Sequence, residues 1–406
     1  MNYFFFYKSF SDLDTLSPIA NVLSENNVPR KKIYIIMDSL GRSTNLNNNE
    51  LIFFLKKRAK IYNFILFNYL NKIYYFLMGS VIINNLKKKL YIFRVLNLII
   101  NKLIQFFFIL NLYILLIFFF FIKKNITVLF FGKINKFCCK ILKFFNKNIK
   151  IILISHGLKT HVGAYDKKFN HFLKKENNKP SVYVDKFIYT NLNQYNSNKL
   201  SKKVTLLGSP RYDFNWICKL QRIYKKSFKE KKYILVLLDK VGQNVNGKFQ
   251  FFNKVKEINI ILEYLHNQKY KCIIKFHPNS IESEIKDYNI CKNEKINIAL
   301  NEDQTFNLIK NCHILIAFNT SAILDGFLLK KKIILPLYCS NFKSLFPIVN
   351  NSVVASNFNA FKIKLKKSLA ADYVKNYNNN KLFLITGNKD NNTIKKYYDL
   401  ITGNDE

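Results

Sequence analysis

Short, largely apolar runs alternate with amphipathic stretches along most of the chain. Tyr3–Tyr7, Ile33–Met37, Ile126–Phe131, Ile151–Ser155, Phe187–Thr190 and Val204–Leu207 read as strands. Tyr233–Leu238, Cys272–Phe276, Ile314–Phe318 and Ile333–Leu335 repeat the pattern further on. A helix is expected to open at Ser17-Pro18, with Ser17 as N-cap and Pro18 in the first helical position. Further helices are expected over Ile134–Phe145, about 249–267, Asp303 to about Cys312, Thr320-Ser321 to about Leu329, and about 359–370. Unbroken apolar strands between helices mean parallel sheets covered on both faces. The expected fold class is α/β, with a first domain over 1–200 and a second over 208–365. Residues 366–406 form a polar tail with room for a helix returning to the first domain.

One stretch breaks the pattern. From Leu51 to Tyr165 there is no Asp or Glu, while residues 51–150 hold 18 Lys or Arg. Within it Leu103–Ile122 is twenty residues without a charge, long enough to span a hydrocarbon core of roughly 30 Å. Strands precede and follow this run, so a single crossing would split one sheet across the membrane. A two-pass hairpin using residues 61–83 would export Lys87-Lys88-Lys89, against the positive-inside tendency. The preferred reading is therefore an insertion over about 51–125 that lies in the interface, with aromatic side chains in the acyl boundary and Lys heads at anionic lipid phosphates. The competing readings are a transmembrane segment at 103–122 and a fully buried helix of a soluble core.

Charge sharpens this. Lys plus Arg number 65 and Asp plus Glu 25, a net +40 over 406 residues. Abundant Lys, Asn, Ile, Phe and Tyr suggest AT-rich codon drift as part of the cause. The remainder implies a polyanionic partner: an anionic membrane, phosphorylated substrates or nucleic acid. No nucleic-acid module is recognisable, so no nucleic acid is expected as a partner. The seven Cys are scattered without a CxxC pair, which fits a reducing compartment and no zinc site. The first eight residues lack the basic leader and cleavage site of a secretory signal.

Open parallel sheets bind ligands beyond the carboxyl ends of their strands, and the chemistry-bearing residues cluster there. His156 ends a strand before Gly157, which permits close substrate approach, and is the candidate general base. Arg211 follows Gly208-Ser209-Pro210 and offers a bidentate fork for phosphate; the alternative is an interdomain ion pair with Asp213. His277 is held extended by Pro278 and can donate to a diphosphate or protonate a leaving phosphate, the alternative being a structural histidine. Thr320 and Ser321 open a helix, where free N–H groups and hydroxyls suit phosphate or serve as an ordinary cap. Asp325, four residues on, can accept from a ribose or glycerol hydroxyl, or is a solvated or capping carboxylate. Asp12 and Asp14 are acceptor-side candidates, for which helix capping is the cheaper explanation than metal binding. No metal site and no cofactor are expected.

In this order His156-Gly157-Leu158-Lys159, Gly208-Ser209-Pro210-Arg211-Tyr212-Asp213, Lys275-Phe276-His277-Pro278 and Asn319-Thr320-Ser321-Ala322-Ile323-Leu324-Asp325 resemble the CDP-glycerol glycerophosphotransferase family of teichoic-acid and capsule polymerases. The resemblance implies the GT-B fold of two facing Rossmann-like domains. It also implies His156 near the reacting phosphate or sugar, and His277, Arg211, Thr320 and Ser321 on a donor diphosphate. Its partners would be a nucleotide-linked donor and a lipid-linked or polysaccharide acceptor, at the cytoplasmic face of the cell membrane. The Thr-Pro usual after His-Gly is absent, and non-hydrolysing UDP-N-acetylglucosamine 2-epimerases share the fold and part of the layout. An epimerase and a non-enzymatic basic membrane- or nucleic-acid-binding protein are the alternatives.

Overall fold

The computed structural model describes residues 1–7, 10–37, 49–63, 125–131, 136–155, 161–162, 183–190, 203–224, 233–239, 242–245, 248–251, 253–277, 286–288, 290, 295–299, 304–318, 320–341, 343–344, 347, 350–370, 381–388, 390 and 392–404. Its first strands are β1 (Asn2–Tyr7), β2 (Ile33–Met37), β3 (Lys60–Asn63), β4 (Ile126–Phe131), β5 (Lys150–Ile154), β6 (His161–Val162), β7 (Lys186–Tyr189) and β8 (Val204–Leu206). All but β6 join one parallel sheet in the order β3-β2-β1-β4-β5-β7-β8. The second group is β9 (Ile234–Leu237), β10 (Gly242–Val245), β11 (Lys248–Phe251), β12 (Cys272–Lys275), β13 (Ile296–Ile298), β14 (Ile314–Ala317), β15 (Lys332–Ile334) and β16 (Lys343–Ser344). Five of these form a parallel sheet in the order β13-β12-β9-β14-β15. The two-sheet α/β architecture expected above is the one observed.

Central placement explains the unbroken apolar runs. Alternate β1 side chains enter opposite cores, with Tyr3, Phe5 and Tyr7 on one face and Phe4 and Phe6 on the other. In β9, Ile234 and Val236 face one core while Leu235 and Leu237 face the second. A strand covered on both faces leaves few positions for a polar residue, buried Thr127 of β4 being one.

The described helices are α1 (Phe10–Glu25), α2 (Glu50–Lys56), α3 (Lys136–Phe145), α4 (Phe214–Ile223), α5 (Val255–Asn267), α6 (Thr305–Asn311), α7 (Ile323–Leu328), α8 (Phe358–Leu369), α9 (Phe383–Thr386) and α10 (Thr393–Thr402). Three differ from expectation in an instructive way. Helix α1 starts at Phe10, so Ser17 and Pro18 lie inside it, and the Ser17 hydroxyl donates to the Leu13 carbonyl. Pro18 has no N–H to give the Asp14 carbonyl, and an interior Pro costs a helix about 3 kcal/mol. Burial of Leu13, Leu16, Ile19, Ala20 and Leu23 along one helix face outweighs that, since each large apolar side chain contributes about 1.5–3 kcal/mol. Helix α2 and strand β3 carry the Rossmann-like pattern to residue 63, within the stretch read as insertion. An antiparallel hairpin of β10 and β11 occupies residues expected to be loop and helix start, and α5 begins only at Val255.

The two halves are knitted at several points. Strand β6 pairs with β16 across the junction. The segment read as a joining stretch roots in both cores, with Tyr212 in the second and Trp216, Ile217 and Leu220 in the first. The Lys310 ammonium donates to the Gln221 and Tyr224 carbonyls at 2.8 and 2.9 Å. The tail then crosses back: Leu382 and Ile385 pack in the second half, and Tyr397, Leu400 and Ile401 of α10 pack against α1. Among the described residues no helix is long and apolar enough to cross a membrane; the run 103–122 lies outside them.

Candidate functional site

Three of the singled-out residues come together. Asp14 lies in the helix that follows β1, Arg211 just beyond β8, and Asp325 in the helix that follows β14. Each therefore stands at the carboxyl edge of its parallel sheet, where such sheets bind ligands. Arg211 Nη1 donates to Asp14 Oδ2 at 2.7 Å, and Nη2 donates to Asp325 Oδ2 at 2.8 Å. The first bond lies within the first half; the second crosses to the other half. Side-chain exposure is 31% for Asp14, 20% for Arg211 and 1% for Asp325.

The electrostatics follow from this burial. Burial works against the Arg211 charge, but Asp14 and Asp325 together more than offset it, so its pKa lies well above the ordinary value. Burial pushes both carboxyls up, and Arg211 opposes the shift in each. Two carboxylates share one guanidinium, and Asp325 Oδ1 is buried without a hydrogen-bond partner. Arg211 does not pair with Asp213. That carboxylate caps α4 by accepting from Asn215 N at 2.9 Å, and its other oxygen accepts from Ile394 N at 3.2 Å. Asp14 sits in the body of α1 and not at its cap, because the helix starts before it.

The loop carrying Arg211 is clamped by the returning tail. Gly208 has φ +86 and abuts Gly387, whose φ is +73. Ser209 N donates to the Thr386 carbonyl at 2.8 Å, and Asn388 Nδ2 donates to the Ser209 carbonyl at 3.0 Å. The hydroxyl of Tyr397, fully buried, donates to the Gly208 carbonyl at 2.9 Å. Sequence reasoning missed Tyr397 and Gly387 entirely; the Gly387-Asn388 pair was a turn signal, but nothing local tells which loop a turn will touch.

The remaining candidates distribute as follows. His277 is half-buried two residues beyond β12, and Lys275 on the same strand end is buried. With β9 between β12 and β14, the ends of those two strands stand two inter-strand spacings apart, about 10 Å. Thr320 is half-buried and Ser321 exposed beyond β14. Thr320 Oγ1 accepts from Ala322 N at 3.4 Å, a local turn contact, and α7 begins only at Ile323. The Tyr212 hydroxyl donates to the Ser321 carbonyl at 3.3 Å, tying the Arg211 loop to that turn. His156 and Gly157 lie outside the described residues, as does the Asp12 side chain. Ser155, immediately before His156, is fixed: its N donates to the Ile188 carbonyl at 2.8 Å and its Oγ accepts from Thr190 N at 3.0 Å. Among the described residues no group of three His, Cys, Asp or Glu has metal-holding geometry.

The fold has known counterparts. The UDP-GlcNAc 2-epimerase of Methanocaldococcus jannaschii, solved with UDP-GlcNAc and UDP, matches with a TM-score of 0.59 at 15% identity, over 99% of this chain and 100% of that one. The UDP-GlcNAc 2-epimerase of Neisseria meningitidis bound to UDP-GlcNAc matches at 0.55 and 13%, over 99% and 100%. The wall teichoic acid polymerase TagF matches at 0.51 and 11%, over 99% and 88%. No family model and no curated protein sequence matches the chain. At these identities the likeness is one of fold: the chain has a GT-B-like architecture of two parallel-sheet domains.

Proposed function

We propose that the chain is a transferase that moves a glycosyl or glycerol-phosphate group from a nucleotide-activated donor to a surface-polysaccharide or lipid-linked acceptor, at the cytoplasmic face of the membrane. The observation that carries this reading is the meeting of both carboxyl edges at Arg211, with His277, Thr320 and Ser321 on the second edge. Solved proteins of similar fold that bind UDP or UDP-GlcNAc support the nucleotide part. The acid-free apolar stretch supports an anionic membrane as partner.

In this reading His156 takes the proton of the acceptor hydroxyl. His277 gives a proton to the leaving phosphate, and Arg211 with Thr320 and Ser321 neutralises the charge that builds there. Asp325 acts through Arg211, since its carboxylate is buried against that guanidinium. Neither metal nor cofactor enters the scheme. A second reading, UDP-GlcNAc 2-epimerisation, is favoured by the 2-epimerases among the structural neighbours.

One experiment separates them. The full chain in vesicles containing anionic lipid is screened for thermal stabilisation by CDP-, UDP- and CMP-linked donors, then assayed for nucleotide release. Release that depends on acceptor, and is abolished in His277→Ala, supports the transferase. Conversion of UDP-GlcNAc to its 2-epimer without acceptor replaces it by the second reading. Absence of stabilisation by every donor rejects both.

A further inference from the structure

We propose that the Asp14–Arg211–Asp325 cluster is a lock on the joint between the two halves, and that its release changes their relative arrangement. Three observations converge on this. The connection Gly208–Ile223 and the returning tail around Thr386–Asn388 pass between the halves at the same place, so the joint is built there. Arg211 is anchored to the first half on one side, through Asp14 and through a loop held by Tyr397, which packs in the first core. On the other side it holds Asp325, a residue of the second half that is 1% exposed.

The chemistry suits a lock that opens. Three elements supply the charges at this point: Asp14 from α1, Arg211 from the loop after β8 and Asp325 from α7. One guanidinium serves two carboxylates, so the cluster carries an excess negative charge when both are ionised. Arg211 is 20% exposed at the carboxyl edges, within reach of an incoming anion. A diphosphate bonding to the same fork competes with Asp325 for it, because its negative charge draws on the one positive charge that Asp325 shares. Binding would then weaken the bond that crosses the joint and leave the bond within the first half. This last step rests on the nucleotide reading above; the lock itself does not.

The test measures the distance between spin labels attached to click-reactive residues introduced at Lys32 and Glu263, both exposed, one in each half. Asp325→Asn removes the charge that crosses the joint and keeps the side chain's shape. It is expected to shift the distance distribution and broaden it, and Arg211→Met is expected to do the same. Asp14→Asn, which weakens one of the two anchors inside the first half and leaves the loop held by Tyr397, is expected to shift the distribution less. Circular dichroism confirms that each variant retains its secondary structure. An unchanged distribution in both Asp325→Asn and Arg211→Met overturns the lock, as does an equal shift in Asp14→Asn. Adding UDP to the unmodified sequence then tests the other reading. A shift toward the variant distribution supports anion exchange at Arg211; shifted variants with no response to UDP keep the lock and refute its release by nucleotide.

Discussion

Gly208 and Gly403 share the same backbone angle, φ +86, but differ in surroundings. An added Cβ at Gly403 meets nothing within 4 Å. At Gly208 it would lie 2.1 Å from Asn388 Oδ1 and 2.8 Å from the carbonyl carbon and oxygen of Gly387. Alanine at either site carries the left-handed strain of an L residue, about 1–2 kcal/mol. At Gly208 two further losses follow. Asn388 must swing away, giving up its 3.0 Å bond to the Ser209 carbonyl, and the Gly387 backbone must withdraw, straining the 2.8 Å bond from Ser209 N to Thr386. Each hydrogen bond contributes about 1 kcal/mol net. Gly208→Ala should therefore lose about 3–4 kcal/mol and Gly403→Ala only about 1–2 kcal/mol. Urea denaturation read by the fluorescence of Trp216 measures both. This is the chain's single tryptophan, buried at 1% exposure on the helix that follows the loop. Equal losses in the two variants would refute the argument, since strain alone would then account for both.

Arg211→Met leaves Asp325 buried without a counter-charge, and breaking such a pair costs about 3–5 kcal/mol. The Asp325 carboxyl is already raised by burial, against the opposing pull of Arg211, and losing Arg211 raises it further. A raised carboxyl contributes stability that is present below its unfolded pKa and lost as pH rises through the folded one. The Arg211→Met loss should accordingly be full near neutrality and shrink on acidification, and Arg211→Met with Asp325→Asn should recover most of it at pH 7. A loss that neither acid nor the second substitution relieves would sink this account. Tyr397→Phe removes a fully buried donor from the Gly208 carbonyl and should lower stability by about 1–3 kcal/mol, the penalty of an unsatisfied buried acceptor. An unchanged urea midpoint would show the bond idle.

Much of the architecture was legible along the chain, because a strand buried on both faces must be apolar at most positions. That requirement wrote β1, β2, β4, β5, β9, β12 and β14 into the sequence as largely apolar runs. Helix starts were less legible. Ser17-Pro18 has the local grammar of a helix N-terminus, yet α1 runs through it, because burying Leu13, Leu16 and Ile19 against the sheet outweighs the local preference. Short edge strands such as β3 and β13 left little trace, since few of their described positions are buried.

The candidate site divides along the same line. Sequence by itself determined which residue types stand beyond the strand ends: Asp14, Arg211, His277, Thr320, Ser321 and Asp325 were each visible there. Only the tertiary structure decided their partners. Arg211 pairs with residues 197 and 114 positions away and not with Asp213, two positions on. The physical reason is that Asp213 is already spent on the first turn of α4 and on Ile394 N, while two buried or half-buried carboxylates from separate domains converge on the one guanidinium between them. Hydrophobic period is a local property and survives in the sequence. Charge pairing across a domain joint depends on how two separately folded sheets come to rest.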